Sequence, residues 1–181
     1  MRVISGSARG RKLKMPAGDA IKPTSGRVKE SVFNIVSFDI EGRRVLDLFA
    51  GTGQLGIEAL SRGARGAVFV DSATESVKLI RENLKICGFS EHADVYARDV
   101  FKFLESDEKY DLIFVDPPYD TQLADKVLLK LVEFDKLNIN GIILCESKSS
   151  SPTKTVALPY SLKKEYRYGN VRLTKYTREE L

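Results

Sequence analysis

From residue 45 onward, two rhythms of apolar residues alternate along the chain. Short, almost unbroken apolar runs occur at Val45-Leu46-Asp47-Leu48-Phe49, Ala67-Val68-Phe69-Val70-Asp71, Asp94-Val95-Tyr96-Ala97, 111–115 and 141–146. Their length and β-branched content predict strands. Between them the apolar positions recur at helical spacing. They do so over 56–61, through Val77, Ile80, Leu84 and Ile86, in a helical turn around Val100 to Leu104, and over 124–134. Strands with continuous apolar character, separated by helices, predict a mostly parallel sheet covered on both faces. Two ends depart from this rhythm. Leu162 to Tyr168, then Gly169-Asn170, then Val171 to Tyr176 reads as an antiparallel hairpin, bringing the sheet to seven strands. At the other end, Val3-Ile4 and Leu13-Lys14-Met15 read as two short strands joined through Gly6 to Gly10. Pro23-Thr24-Ser25 then opens a helix whose apolar face is Val28, Val32, Ile35 and Val36. The expected class is α/β.

Length and composition narrow this further. A chain of 181 residues supports one well-buried core rather than two domains. No apolar run reaches the ~18–20 residues of a membrane span, and Met1 to Gly6 begins no signal peptide. Cys87 and Cys145 have neither metal-ligand nor redox spacing, so reduced thiols in a cytoplasmic protein and no metal site are expected. With His92 as its one histidine, the chain has no Ser/His/Asp triad or His-rich metal centre to offer. The net charge of +4 conceals an asymmetry. Residues 1–29 carry eight basic side chains against Asp19 alone, a net +7, which leaves the remainder at −3. A basic end on a mildly acidic body predicts a polyanionic partner met by that end.

Chemistry concentrates where the predicted strands stop. Asp116-Pro117-Pro118-Tyr119 directly follows Leu112-Ile113-Phe114-Val115. The Asp116 carboxylate and the Pro117 carbonyl can accept hydrogen bonds from an exocyclic amine. The two prolines fix the backbone that aims them, and Tyr119 can lie flat on a base. Upstream, Gly51-Thr52-Gly53-Gln54-Leu55-Gly56 matches GxGxxG between a strand and a helix, a pattern suited to an adenosine-containing ligand. Asp71, 18 residues beyond Gly53, stands where a ribose hydroxyl is accepted. Asp47, Asp71, Asp99 and Asp116 all fall at or near strand ends. Such an acidic rim suits a sulfonium cation better than a pyrophosphate, although some of these aspartates are expected to cap helices. There is no Gly-Lys-Ser/Thr phosphate loop, and neither cysteine follows a proline as a pyrimidine-carbon methylating nucleophile would.

Leu46-Asp47-Leu48-Phe49-Ala50-Gly51-Thr52-Gly53 and Leu55 to Ala64, taken together, resemble the bacterial 16S ribosomal RNA guanine-N2 methyltransferases of the small subunit, guanine(966)-N2 type. Arg9-Gly10-Arg11-Lys12-Leu13, Lys22-Pro23-Thr24, Arg27 to Asn34, the Asp116 to Tyr119 run and Arg167 to Val171 agree with the same family. The resemblance implies a Rossmann-like class I, S-adenosylmethionine-dependent enzyme with residues 1–22 as a basic RNA-binding hairpin and 23–181 as the catalytic domain. It implies a cofactor site of Asp47, Phe49, Ala50, Gly51, Thr52, Gly53, Asp71, Asp99 and Val100. Asp116, Pro117, Pro118 and Tyr119 would hold the target guanine. Arg9, Arg11, Lys12, Lys14, Lys22 and Arg27 would meet 16S rRNA, free or in a small subunit or its assembly intermediate, with the enzyme acting as a monomer. Two positions depart from the family: Ala8 stands where an aromatic residue usually precedes the basic run, and Asp71 where Glu is frequent. The rival readings are a DNA adenine methyltransferase, which lacks room here for a target-recognition insert, and a nicotinamide oxidoreductase, which lacks a Tyr-x-x-x-Lys pair.

Overall fold

The computed structural model describes residues 1–16, 26–118 and 121–180. Lys22, the Pro23-Thr24-Ser25 helix start and Tyr119 lie outside the described residues. Seven strands form one sheet: β1 (Arg44–Leu48), β2 (Gly66–Asp71), β3 (Ala93–Ala97), β4 (Tyr110–Val115), β5 (Leu137–Lys148), β6 (Tyr160–Tyr168) and β7 (Val171–Arg178). The helices are α1 (Gly26–Ile35), α2 (Gln54–Ser61), α3 (Thr74–Cys87), α4 (Val100–Leu104) and α5 (Thr121–Glu133). The order across the sheet is β3-β2-β1-β4-β5-β7-β6, parallel from β3 to β5 and antiparallel through β7 and β6.

The continuous apolar strands are explained by two cores. Along β4, Leu112 and Phe114 pack on one face with α1, α2 and α3, and Ile113 and Val115 pack on the other with α4 and α5. The other parallel strands that the sheet buries follow the same alternation: Val45 against Leu46, Phe69 against Val70, Ile142 against Ile143. Successive side chains of a strand point to opposite faces, so burial on both faces demands an apolar residue at every position. Asp47 is the exception in β1, facing the α2 side at 1% exposure.

Two expectations are corrected. The fifth strand begins at Leu137, not at 141. Leu137 pairs with Tyr110, but Ile142 pairs with Leu112, so a bulge between Leu137 and Ile142 takes up the extra residues. The N-terminal ribbon is also not a pair of strands. It has one bridge, Arg2 to Lys12, with Val3 N–H donating to Arg11 O (2.9 Å) and Gly10 N–H to Val3 O (2.9 Å). Other backbone groups of the ribbon bond to α2: Ile4 and Ser5 N–H donate to the two Glu58 oxygens (2.9 Å each), and Ser7 N–H to Ser61 O (2.8 Å). Val3, Ala8 and Leu13 are buried in the same core as α1, α2 and α3.

Candidate active site

The strand order reverses direction between β1 and β4, the two strands that leave the middle of the sheet with their carboxyl ends side by side. Leu48 is level with Val115, so the loop after β1 and the Asp116-Pro117-Pro118 run start at one height on either side of a crevice. Open α/β sheets bind ligands at such a point.

The loop after β1 is shaped by backbone that ordinary residues avoid. Phe49 (φ 60°), Gly51 (56°) and Gly53 (77°) are all left-handed, and Gly53 caps α2. With no Cβ at Gly51 and Gly53, bare backbone can approach a ligand there. Gly56, the third glycine of the motif, has a different task. A Cβ there would lie 2.3 Å from the Phe69 ring, so its absence lets α2 sit directly on β2. Three side chains hold the loop from below. Buried Asp47 accepts Gly56 N–H (2.8 Å), and Asp71 accepts Gly51 N–H (2.9 Å) and, through its other oxygen, Ala73 N–H (2.9 Å). Asn83, fully buried on α3, donates to Thr52 O (3.0 Å).

The predicted cofactor residues are therefore brought together, with different tasks. Asp47 is beneath the loop, and Phe49 to Gly53 form it. Asp71 flanks it with lone pairs left on both oxygens. Asp99 is exposed, and one of its oxygens caps α4 by accepting Lys102 N–H (3.2 Å); Val100 behind it is buried. Burial, and then the negative fields of Asp116 and Asp71, raise the Asp47 carboxyl well above its usual range despite the Gly56 bond. Glu146, at the end of β5, is pushed up to about 8 by burial and then by Asp116. Carboxyls gathered at one rim form a donor set that suits a sulfonium or ammonium group better than a pyrophosphate. The site thus fits S-adenosylmethionine.

Sequence reasoning missed Glu146. Val115 pairs with Cys145, so Asp116 and Glu146 are the next residues of two adjacent parallel strands. Both line one narrow cleft walled by Val32, Leu55, Leu144 and Leu173. Its signal was available: a lone acid ending an apolar strand, as Asp116 does. Asn83 and Glu58 were missed because buried polar residues on helices look like surface ones until their partners are known. Among the described residues there is no cluster of metal ligands and no helix long and apolar enough to cross a membrane. Cys87 and Cys145 are free thiols.

The basic residues separate into two groups. Arg9, Arg11, Lys12, Lys14 and Arg27 are exposed, with Lys14 paired to Glu82 at 2.9 Å. Lys29, counted in the same positive segment, is 1% exposed and bridges Glu58 at 2.8 Å. Burial lowers its pKa, while hydrogen bonds from Lys29 and Ile4 overcome burial to hold Glu58 below its ordinary value. Arg62 closes the cluster on Glu58 at 3.0 Å. Ala8 is 4% exposed, so position 8 of this chain offers no face to a nucleobase.

The family model described as conserved hypothetical protein 95 matches residues 1–177. The chain belongs to that family. It is 43% identical over 150 residues to the provisionally named rRNA methyltransferase YlbH of Bacillus subtilis, covering 81% of this chain and 82% of that protein. It is 33% identical over 180 residues to the ribosomal RNA small subunit methyltransferase D of Escherichia coli K12, covering 99% of this chain and 90% of that one. A solved structure of a provisionally named Escherichia coli methyltransferase superposes with a TM-score of 0.90 at 33% identity, covering 99% of this chain and 98% of that one. The family resemblance, the Rossmann-like methyltransferase fold and the S-adenosylmethionine-dependent enzyme class expected from the sequence are met.

Proposed function

We propose that this member of the family transfers the methyl group of S-adenosylmethionine to the exocyclic 2-amino group of a guanine in 16S rRNA, at the position its guanine(966)-N2 relatives modify, working in the cytoplasm as a monomer on the small subunit or an assembly intermediate. The observation that carries the reading is the placement of Asp116 and Pro117 at the end of β4, level with the glycine loop of β1 across the crevice. The relatives' names supply the class of RNA.

Bound S-adenosylmethionine supplies an electrophilic methyl on a sulfonium. Phe49 to Gly53 would cradle its amino-acid end, Asp71 its ribose and Asp99 its adenine. The protein's part is to present the amine. The guanine 2-amino nitrogen is a weak nucleophile because its lone pair is delocalised into the ring. Acceptors at the Asp116 carboxylate and the Pro117 carbonyl hold its two N–H bonds, favour a pyramidal nitrogen and stabilise the positive charge that grows on it. This is preorganised electrostatic stabilisation, in which one lost contact typically costs ~10²–10³ in rate. Alignment of the nitrogen behind the methyl supplies much of the remainder. The methylated ammonium is acidic and sheds one proton to solvent, so no strong base is needed. Tyr119 would stack on the extruded base, and removing that base from its stack costs least in a loop.

The test is transfer of tritiated methyl to naked 16S rRNA, partly assembled subunits, mature subunits and DNA, followed by identification of the modified nucleoside. N2-methylguanosine in rRNA is the expected product; N6-methyladenine in DNA would replace the reading with its rival. Asp116→Ala is expected to lower turnover by about 10²–10³ with S-adenosylmethionine affinity nearly unchanged. Near-normal turnover would remove Asp116 from the amine.

A further inference from the structure

We infer that Glu146 is the residue that selects guanine, by accepting the ring N1–H while Asp116 and Pro117 hold the neighbouring 2-amino group. The inference rests on the guanine-N2 reading above and adds a specificity determinant to it.

Three observations support it. First, Asp116 and Glu146 follow the registered pair Val115 and Cys145, so their Cα atoms are about one strand spacing apart, ~4.8 Å. Phe114 and Leu144 belong to the core on the α1–α2 side. Asp116 and Glu146, two residues further along each strand, therefore point to that side too. Second, both carboxyls line the same cleft, whose remaining walls include the apolar side chains Val32, Leu55, Leu144 and Leu173. Third, no described residue gives the Glu146 side chain a hydrogen bond or ion pair, although the residue is only partly exposed. A Glu146 carboxyl with no partner among the described residues, beside the Asp116 acceptor, suits a ligand edge that carries a second donor next to the amine.

The Watson–Crick edge of guanine has that arrangement. N1–H and the 2-amino group are carried on bonded atoms and point the same way. Adenine also has an amine, but the ring nitrogen beside it on that edge is an acceptor. Placed against the ionised carboxylate of Glu146 it would set lone pair against lone pair. A pocket built to bond a substrate N–H rejects an analogue lacking it by far more than a pocket reading shape alone. Asp116 and the prolines take any exocyclic amine, and Glu146 decides which ring carries it.

The experiment uses the full-length protein, at a pH of about 9 where Glu146 is ionised, and small subunits reconstituted on 16S rRNA whose target position holds either guanine or 2-aminopurine. 2-Aminopurine keeps the 2-amino group and has an unprotonated N1. The wild-type protein should methylate the guanine form at least about 10²-fold faster in kcat/KM. Glu146→Ala should lower the guanine rate and leave the 2-aminopurine rate within a few-fold, so that the selectivity collapses. Glu146→Gln keeps an acceptor oxygen and adds a donor, so it should retain much of the guanine rate and raise the 2-aminopurine rate. If Glu146→Ala slows both substrates by one common factor, or leaves guanine unaffected, Glu146 does not read N1–H. Melting temperature and S-adenosylmethionine affinity of each variant separate misfolding from lost recognition, and Glu146→Gln serves if Glu146→Ala does not fold. Failure of the guanine-N2 reading itself would be visible separately, as absence of N2-methylguanosine with the wild-type protein.

Discussion

At the residue scale, the site depends on a few atoms that are absent or buried. Gly56 has no Cβ because the Phe69 ring occupies its place at 2.3 Å, in a core where Phe69 is fully buried. Gly56→Ala gains helix propensity but must displace an aromatic ring. It is expected to destabilise the protein by about 1–3 kcal/mol, the usual cost of overpacking, in urea or thermal unfolding. A variant as stable as wild type would show that α2 can lift off β2. Asp47 illustrates a different economy. A carboxyl in β1 cannot reach solvent, so it is kept by one hydrogen bond to Gly56 N–H and by a raised affinity for its proton. Its task in this fold is to fix the head of α2 under the glycine loop.

At the scale of elements, the basic N-terminal ribbon is joined to the cofactor loop by side chains rather than by sequence. Asn83 on α3 accepts Lys14 N–H (2.7 Å) and donates both to Lys14 O (3.1 Å) and to Thr52 O (3.0 Å). Glu58 on α2 holds Ile4, Ser5, Lys29 and Arg62. Removing one partner of such a buried pair typically costs ~3–5 kcal/mol. Deleting residues 1–22 would therefore expose Glu58 and the core around Val3 and Leu13, so it is a poor probe of RNA contact. Exposed Arg9, Arg11 and Lys12 can be changed without touching that packing. The triple alanine variant is expected to bind 16S rRNA more weakly, with the slope of log K against log salt shallower by about 2. An unchanged slope would mean that the ribbon's charges do not meet phosphate. The prolines after β4 act at this scale too, fixing how the chain leaves the sheet.

At the scale of the whole molecule, β7 lies antiparallel against β5 and makes it an interior strand, which is what puts Glu146 beside the crevice instead of on an open edge. Arg178 and Tyr160 of the hairpin both bond to Asp135 before β5, at 2.7 and 3.0 Å. Gathering carboxyls at one rim has a cost that depends on pH. Glu146 is protonated more readily in the fold, up to about 8, than its ordinary value of 4.5 allows in the unfolded chain. Its contribution to stability is complete below 4.5 and disappears as pH rises through about 8. Asp47 acts in the same direction. The ligand-free protein should lose melting temperature from pH 5 to pH 9, and Glu146→Gln should lose less, the two curves separating with rising pH. Parallel curves would show that Glu146 ionises freely.

How far the sequence determined this protein differs by feature. The alternation of strands and helices was legible because a sheet buried on both faces writes its burial as unbroken apolar runs, and a covering helix writes its own every third or fourth residue. The glycine loop and the Asp116 run were legible because backbone geometry restricts which residues can stand there. What the sequence left open were relations between distant segments. Nothing local distinguishes Lys29 from its exposed basic neighbours, or Asn83 from a surface amide, until Glu58 and Thr52 are beside them. The start of β5 before Gly141 was not legible because the asparagines and glycine of its bulge break the apolar run. Glu146 became part of the site only through the register of β5 on β4. The sequence determines what each segment can be, because propensity and burial act locally. Only the tertiary structure decides which charges face which, because that depends on pairing between strands far apart in the chain.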